Sequence, residues 1–325
     1  MAYEMQPKVV VLGGGTGMPI MLEGLKALPV ELSTIVTVAD DGGSTGQIRE
    51  EMEIPAPGDI RNVIATLAQV DTELKELFQH RFSSGSSLPG HSVGNLVLAA
   101  MNSVTGDFYQ AVKQVSALFR VDGNIYPISN GSIVLHAELD DGTIVSGESN
   151  IPVKNKKIER VFLTPETIEP LPEVVNAIMD ADIIVISPGS LYTSILANLI
   201  VSGVQEALQK TAAKVVYVCN IMTQKGETND YTVVDHIEAL VSHIGYEVVD
   251  TVIVHNKPIS KEMLSRYKEE DSIPVIYDRD RLLTYDLEVI EADILDDSQE
   301  MIRHNTTVLA DILYKLAVKE KEKDE

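Results

Sequence analysis

The sequence predicts a doubly wound α/β fold, in which helices cover a mostly parallel, Rossmann-like sheet that a small antiparallel β-hairpin excursion interrupts. Short apolar, β-branched runs alternate along the chain with longer helical patterns. The first run, residues 8–12, passes through glycines directly into a helical pattern, as buried parallel strands do. Repeated units of this kind favour parallel strands joined by right-handed crossovers.

The segments follow in chain order from apolar periodicity and capping residues. Strands are predicted at residues 8–12, 34–38, 182–187, 214–220 and 251–256, and helices at residues 17–28, 59–69, 92–102, 190–200, 234–243 and 307–318. Residues 132–138 and 143–146, joined across Asp140-Asp141-Gly142, form the predicted hairpin. We expect residues 1–325 to form a single α/β body, with the hairpin insertion near residues 125–165 and a frayed, charged tail at residues 319–325.

Composition excludes several classes of function. There are 26 Lys and Arg residues against 49 Asp and Glu residues, and the net charge of −23 argues against binding to nucleic acid or to an anionic membrane surface. No run approaches the ~20 apolar residues that a membrane span needs. The single cysteine, Cys219, rules out an intrachain disulfide framework and a multi-cysteine zinc site, and we place it in the core. Together with an N-terminus that lacks a signal pattern, these features predict a cytoplasmic protein.

The first candidate site is the turn between the first strand and the first helix. It consists of Gly13, Gly14, Gly15, Thr16 and Gly17. Glycines let a ligand approach the backbone, and a helix N-terminus offers unpaired N–H groups and a partial positive charge to phosphate. The match to the dinucleotide fingerprint is partial because Met18 stands where a third small residue is expected. We interpret the turn as a phosphate or nucleotide site, with NAD as the weaker alternative ligand.

A second turn of the same kind follows a later strand. Gly189 and Ser190 again lie between a strand and a helix, where their amides would form a second anion cradle. Asn220 ends another predicted strand, and we assign it to the same ligand site. The alternative is an ordinary capped helix start. Because the protein is acidic overall, anion binding must depend on the backbone and on a few bases, for which Arg49, Arg61 and Lys225 are candidates.

Carboxylates follow the second strand. Asp40 and Asp41 come directly after it, and Asp59 begins a helix farther on. Such carboxylates can bind a ribose hydroxyl or, as a pair, hold a Mg²⁺ ion that bridges phosphates, and Asp59 is the natural second carboxylate of that pair. The alternative role of Asp59 is a helix N-cap.

The same stretch contains a short motif of serine hydrolases. Residues 42–46 read Gly-x-Ser-x-Gly around Ser44, and a nucleophile elbow would require this pattern with a later acid and histidine. Two adjacent aspartates disfavour negative charge on a serine oxygen, so we regard a hydrolase as a minor alternative. His91 is the histidine that we place near the site, whereas the spacing of His236 and His243 does not suit zinc.

Taken together, these motifs resemble the YvcK/CofD-like family. The matching segments are VLGGGTG (residues 11–17), ADDGGSTG (39–46), PGDIRN (57–62), HSVGN (91–95) and SPGSLY (187–192). The closest branch, the YvcK gluconeogenesis factors, implies a cytoplasmic protein required for cell shape and wall synthesis on gluconeogenic carbon sources. Its members bind UDP-sugars such as UDP-N-acetylglucosamine, and the resemblance adds Tyr267 and Arg303 as contacts to such a ligand.

The resemblance also implies an alternative function and a form of regulation. The sister branch, 2-phospho-L-lactate transferase, uses Mg²⁺, and Asp41 and Asp59 match its metal positions. Any enzyme activity would accordingly be a Mg²⁺-dependent phosphoryl-group transfer, and whether a reaction is catalysed stays open. Thr306 is a candidate regulatory site, since some YvcK-like proteins are substrates of Ser/Thr kinases. The alternative is that Asn305 or Thr306 only caps the last helix. We expect a homo-oligomer with a regulatory protein partner, and such a kinase is one candidate for that partner.

Overall fold

The computed structural model describes residues 6–83, 85, 88–245, 248–267, 271–296 and 302–323. The last two residues of the predicted tail lie outside them. In chain order the strands are β1 (Lys8–Gly13), β2 (Glu31–Val36), β3 (Asn124–Pro127), β4 (Val134–Leu139), β5 (Ile144–Ser146), β6 (Ile158–Thr164), β7 (Ile183–Ile186), β8 (Lys214–Val218), β9 (Thr251–His255), β10 (Glu288–Ala292), β11 (Leu295–Asp296) and β12 (Arg303–His304).

Helices account for most of the connections between the strands. They are α1 (Gly17–Leu25), α2 (Gly43–Met52), α3 (Gly58–Leu67), α4 (Thr72–Gln79), α5 (Val93–Thr105), α6 (Phe108–Leu118), α7 (Pro172–Met179), α8 (Ala197–Leu199), α9 (Ser202–Lys210), α10 (Val233–Ile244), α11 (Lys261–Tyr267), α12 (Arg279–Leu282) and α13 (Thr306–Lys321). A π-helical turn, Leu191–Leu196, precedes α8.

The main sheet confirms the predicted doubly wound fold. Its seven strands lie in the order β10-β9-β8-β7-β1-β2-β3, and every neighbouring pair is parallel. Strand β7 and residues 9–12 of β1 are apolar and buried because helices cover both faces of the sheet. The chain runs from β1 toward one edge and, from β7, toward the other, so the β1–β7 boundary is the switch point at which such sheets bind ligands.

The antiparallel excursion is larger than a hairpin. Strand β4 pairs with β5 on one side and with β6 on the other, which makes a three-stranded sheet. Its alternating burial shows that one face packs on the core and the other is more exposed. The preceding strand β3 belongs to the main sheet, so the excursion spans residues 134–164 rather than 125–165.

The first residues of the predicted tail, 319–321, are helical. Helix α13 continues to Lys321 instead of ending near residue 318. The continuation is held because Lys321 pairs with Asp182 (3.5 Å) and Glu320 with Lys214 (3.9 Å), and these lysines and Glu320 are largely shielded from solvent. Charges that looked like a solvated end therefore anchor the helix against the amino-terminal end of the sheet.

Helix α13 packs on α1 and thereby places the C-terminal segment beside the first glycine turn. A Cβ built on Gly24 of α1 would lie 2.5 Å from the carbonyl oxygen of Thr306 and 2.8 Å from Cβ of Ala310, so only glycine permits this approach. As a result, β12 lies next to α1, although almost the whole chain separates them in sequence.

No single described helix has both the length and the apolar character to cross a bilayer. One bent pair, Leu191–Leu199 with Ser202–Lys210, passes a test of length and composition, but its halves meet at 73°.

Candidate functional site

Two glycine turns meet at the carboxyl ends of β1 and β7. Gly17 approaches the turn after β7 so closely that a Cβ on it would lie 2.2 Å from the carbonyl oxygen of Pro188. Gly15 has φ +64°, a left-handed conformation that favours glycine. The structure therefore brings the two turns predicted from sequence to one place, with the N-terminus of α1 opening between them.

Asp59 is held against the first turn. Its Oδ2 atom accepts a hydrogen bond from the Gly15 N–H at 2.8 Å, and a Cβ on Gly14 would lie 2.6 Å from the same oxygen. Helix α3 begins one residue earlier without a side-chain cap, so the alternative role of Asp59 as an N-cap is wrong. Burial raises the pKa of Asp59 to about 6; the Gly15 hydrogen bond opposes this rise and the charge of Asp40 adds to it.

The second carboxylate beside Asp59 is Asp40 rather than Asp41. Asp40 lies against Gly58, where a Cβ would be 2.7 Å from its Oδ2 atom. Asp41 faces the antiparallel sheet instead, where its Oδ1 atom accepts the Ser149 N–H at 2.8 Å. No cluster of three or more metal-ligating side chains occurs among the described residues. Because Mg²⁺ needs only one or two carboxylates beside substrate phosphates, Asp40 and Asp59 fit such an ion.

More carboxylates gather next to Asp41. Glu148, in the short segment after β5, has a pKa raised to about 8 by burial and then by the charges of Asp40, Glu227 and Asp41. It is therefore mostly protonated at neutral pH. The charges of Asp40 and Asp41 disfavour an anion in this part of the site, whereas the uncapped start of α1 offers N–H groups to phosphate.

The second turn is not a free anion cradle, contrary to the sequence prediction. Glu227 is buried, and its Oε2 atom accepts the N–H groups of Tyr192 and Thr193 at 3.2 and 3.3 Å. Its other oxygen accepts the Thr193 hydroxyl at 3.0 Å. A protein carboxylate thus occupies the helix start after Ser190. Burial raises the pKa of Glu227, and these hydrogen bonds act against that rise.

Asn220 holds the second turn in shape. Its side-chain amide donates to the Gly189 carbonyl oxygen at 2.7 Å, and its Oδ1 atom accepts the Gly189 N–H at 3.0 Å. Gln224 donates to the Ser190 hydroxyl at 3.0 Å. Both polar side chains therefore fix the backbone at the edge of the site.

A cleft of about 350 Å³ opens beside the two turns. The residues predicted for nucleotide binding that line it are Thr16, Gly17, Gly189, Asn220, Tyr267 and Arg303. Arg303 is half-buried, and no described carboxylate lies within ion-pair distance of its guanidinium. Lys225 also lines the cleft and pairs with Asp271 at 2.6 Å. Positive charge and the start of α1 thus face one space.

Tyr267 fastens the Arg303 segment to the rest of the molecule. Its hydroxyl accepts the Ile302 N–H at 2.6 Å and lies 3.4 Å from the Ile302 carbonyl oxygen. Only 8% of the tyrosine is exposed. The side chain predicted to stack on a base is therefore mainly a tether for the neighbouring residue.

A second cleft of about 460 Å³ adjoins the first. The two share Thr16, Ile20, Arg303 and His304. The remaining lining consists mostly of polar side chains, namely Pro19, Glu23, Asn62, Thr66, Gln79, Asp296 and Thr306. Burial lowers the pKa of His304 to about 4, and its Nε2–H donates to the Cys219 carbonyl oxygen at 3.2 Å. His304 is therefore a neutral wall between the clefts.

Thr306 opens helix α13, and Asn305 is its N-cap. The Asn305 side chain accepts the Val308 N–H at 3.0 Å, which confirms capping by this residue. Thr306 is half-buried and lines the second cleft with Arg303.

Ser44 lies in helix α2, where its hydroxyl is 3.0 Å from Nδ1 of His91. The residue with positive φ is Gly43 (+45°), so Ser44 does not sit on the strained turn of a nucleophile elbow. Its hydroxyl also accepts the Asn95 side-chain amide at 3.3 Å. His91 is near the site, as predicted, within a polar network.

The other two predicted bases, Arg49 and Arg61, line neither cleft. Arg61 is buried and donates to Ser92 (2.7 Å) and Asn62 (2.8 Å), while Arg49 donates to the carbonyl oxygens that follow β2. Burial lowers the pKa of Arg61 to about 10. Cys219 is buried in the core, as expected.

Sequence reasoning missed Glu227, Asn62 and His304. Glu227 lies some 35 residues from the amides it binds, with no local pattern to mark it. Asn62 and His304 could have been found from the sequence. Asn62 is the last residue of the PGDIRN motif, and His304 directly follows Arg303.

Comparison with known proteins supports this description of the fold. The sequence profile of the family described as 2-phospho-L-lactate transferase CofD matches residues 9–295. The gluconeogenesis factor of Bacillus subtilis strain 168 is 50% identical over 311 residues, which cover 96% of this chain and 98% of that protein. The gluconeogenesis factor of Halalkalibacterium halodurans is 49% identical over 305 residues, or 94% and 95% of the two chains.

A solved structure gives the same result. The crystal structure of a protein from Bacillus halodurans superposes with a TM-score of 0.93 at 49% identity, covering 95% of this chain and 99% of that one. A family match over most of the sequence and relatives of nearly equal extent show that this chain belongs to the CofD/YvcK family.

Proposed function

We propose that this protein is a cytoplasmic gluconeogenesis factor that acts by binding a UDP-sugar of the UDP-N-acetylglucosamine type. Its role would be to adjust wall synthesis and cell shape on gluconeogenic carbon sources. The observation that carries the proposal is the position of Arg303, which faces the start of α1 across a cleft lined by Thr16 and Gly17. The gluconeogenesis-factor relatives support the cellular role.

The charge distribution matches a nucleoside diphosphate. Its diphosphate would lie between the open N–H groups at the start of α1 and the Arg303 guanidinium, which can hold two phosphate oxygens at once. The uridine would enter the first cleft, along Ile221, Met222 and Gln224. Asp41, Glu148 and Glu227 line neither cleft, so the ligand would not contact these carboxylates.

Calorimetric titration with UDP-N-acetylglucosamine tests the proposal. Arg303→Ala should weaken binding by at least about 1.5 kcal/mol, roughly tenfold, because charge-assisted hydrogen bonds are lost. Arg279→Ala, at an exposed arginine outside both clefts, is the control and should bind normally. Absence of binding by the wild-type protein, or equal binding by both variants, contradicts the proposal. NAD, titrated in parallel, covers the weaker alternative.

A Mg²⁺-dependent phosphoryl-group transferase is the second candidate. The CofD family match favours it, and so does the Asp40–Asp59 pair, whose mutual repulsion a bound cation would relieve. The ion would stabilise charge on the transferred group. Consumption of a nucleotide with Mg²⁺ and an acceptor, abolished by Asp59→Asn, would establish this activity, whereas recovery of intact UDP-sugar favours the regulatory role.

Regulation by phosphorylation follows from the place of Thr306. A phosphate there would bring a charge of about −1.5 to −2 to the start of α13 and compete with the ligand for Arg303. We propose that a Ser/Thr kinase acts on this residue and that a protein partner reads the ligand state of a homo-oligomer. Thr306→Glu should weaken UDP-N-acetylglucosamine binding while Thr306→Ala does not. Equal affinities of the two variants would refute the competition.

A further inference from the structure

We infer that the second cleft is the sugar subsite of the UDP-sugar complex, and that Asn62 and Thr66 recognise hydroxyl and amide groups of an uncharged sugar. The inference rests on the proposed function, which supplies the diphosphate at Arg303. The two clefts meet at Thr16, Ile20, Arg303 and His304. A diphosphate held there leaves one cleft for each end of the ligand.

The lining decides which end enters which cleft. The first cleft presents the apolar side chains of Ile221 and Met222, a surface suited to a flat base. The second presents amide, hydroxyl and carboxylate groups, which suit a ring bearing several hydroxyls. The sugar therefore belongs in the second cleft.

The hydrogen bonds of Arg61 fix the orientation of Asn62. An arginine can only donate, so the Asn62 atom 2.8 Å from Nη2 of Arg61 must be the amide oxygen. Arg61 is itself buried and held by Ser92, which keeps this arrangement in place. The NH₂ group of Asn62 is therefore left to donate to a ligand.

Thr66 supplies the complementary group. Its hydroxyl donates to the Asn62 carbonyl oxygen at 2.9 Å, so its remaining lone pair is an acceptor. The two residues are four apart on α3 and hence on one face of the helix. A donor and an acceptor one turn apart can bind an acetamido carbonyl and an adjacent hydroxyl.

Charge in the second cleft selects against acidic sugars. Glu23 and Asp296 both line it. Lys26 pairs with Glu23 at 2.5 Å and also donates to the Thr66 backbone carbonyl oxygen at 2.9 Å. Carboxylates accept bonds from sugar hydroxyls and repel a carboxylate on the sugar. UDP-glucuronate should accordingly bind less well than UDP-N-acetylglucosamine.

Calorimetry with UDP, UDP-N-acetylglucosamine and UDP-glucuronate tests this assignment. We expect Asn62→Ala and Thr66→Val each to weaken UDP-N-acetylglucosamine binding at least fivefold and to leave UDP binding within twofold. Asn102→Ala, at a half-buried asparagine outside both clefts, is the matched control and should change neither. Glu23→Gln should improve UDP-glucuronate binding at least threefold.

The outcomes separate this inference from the proposed function. Two results would refute the sugar subsite and leave the UDP site intact. One is that the wild-type protein binds UDP but binds UDP-N-acetylglucosamine and UDP-glucuronate equally well. The other is that the Asn62 and Thr66 variants lose affinity for UDP as strongly as for UDP-N-acetylglucosamine. If neither UDP nor a UDP-sugar binds, both fail. Unchanged UDP affinity in a variant also shows that it is folded.

Discussion

Replacing Tyr267 by phenylalanine distinguishes a tether from a stacking platform. The substitution keeps the ring and removes only the hydroxyl that accepts the Ile302 N–H at 2.6 Å. Because Tyr267 is only 8% exposed, water has little access to take the place of that hydroxyl. A buried N–H left without a partner costs about 1–3 kcal/mol, and this cost falls on the segment that carries Arg303.

The expected consequence is weaker ligand binding without loss of an aromatic contact. If the bound state requires Arg303 in its tethered position, a cost of 1–3 kcal/mol lowers the affinity for UDP-N-acetylglucosamine by roughly 5- to 150-fold. Titration calorimetry measures this directly. Tyr277→Phe, which removes the hydroxyl that donates to Glu291 at an exposed site, is the control and should bind normally.

The contrary result is equally clear. Were Tyr267 to act by stacking, phenylalanine would bind like the wild type and only Tyr267→Ala would lose the ligand. Wild-type affinity in Tyr267→Phe therefore refutes the tether.

Three further predictions concern the stability of the fold. Asp59→Asn should stabilise the fold above pH 6 and should not do so below pH 4. Because the pKa of Asp59 is raised to about 6 in the folded state, ionisation of this carboxyl opposes folding as the pH rises from 4 to 6. It lowers the free energy of unfolding of the wild-type protein by up to about 3 kcal/mol. Urea unfolding of the wild-type and variant proteins at pH 4 and pH 7.5 measures this stabilisation, and an equal effect of the substitution at the two pH values would contradict the prediction. Glu227→Ala should destabilise by about 2–4 kcal/mol because it leaves the buried Tyr192 and Thr193 amides unsatisfied; a melting temperature within 1 °C of wild type would exclude that role. Deleting the chain after Val318 should lower the melting temperature by several degrees through loss of the Lys321 and Glu320 ion pairs, whereas an unchanged melting temperature would restore the picture of a frayed tail.

The features predicted correctly are those encoded locally. Strand β1 and its turn are adjacent in sequence: a run of apolar residues that become buried is followed directly by glycines, two of which adopt positive φ. The helix predicted at residues 92–102 starts at the expected place because its capping signal lies within three residues, with the Ser92 hydroxyl accepting the Asn95 N–H at 3.2 Å. Local chemistry of this kind leaves little room for alternatives.

The failures involve partners distant in sequence. Helix α2 contains Gly43 and Gly46 and so looks like a loop, yet packing of its buried residue Ile48 overrides the low helix propensity. The turn at Ser190 looked open because nothing nearby shows that Glu227 fills it. The tail looked solvated because its partner Asp182 is about 140 residues away.

The packing of α13 on α1 fixes the order in which binding competence can arise during synthesis. The phosphate turn is translated well before Arg303, which completes the cleft. A nascent or prematurely terminated chain can form β1 and α1 and still lack the arginine. Ligand binding would then stabilise finished molecules alone, and proteases would remove incomplete ones that no nucleotide protects.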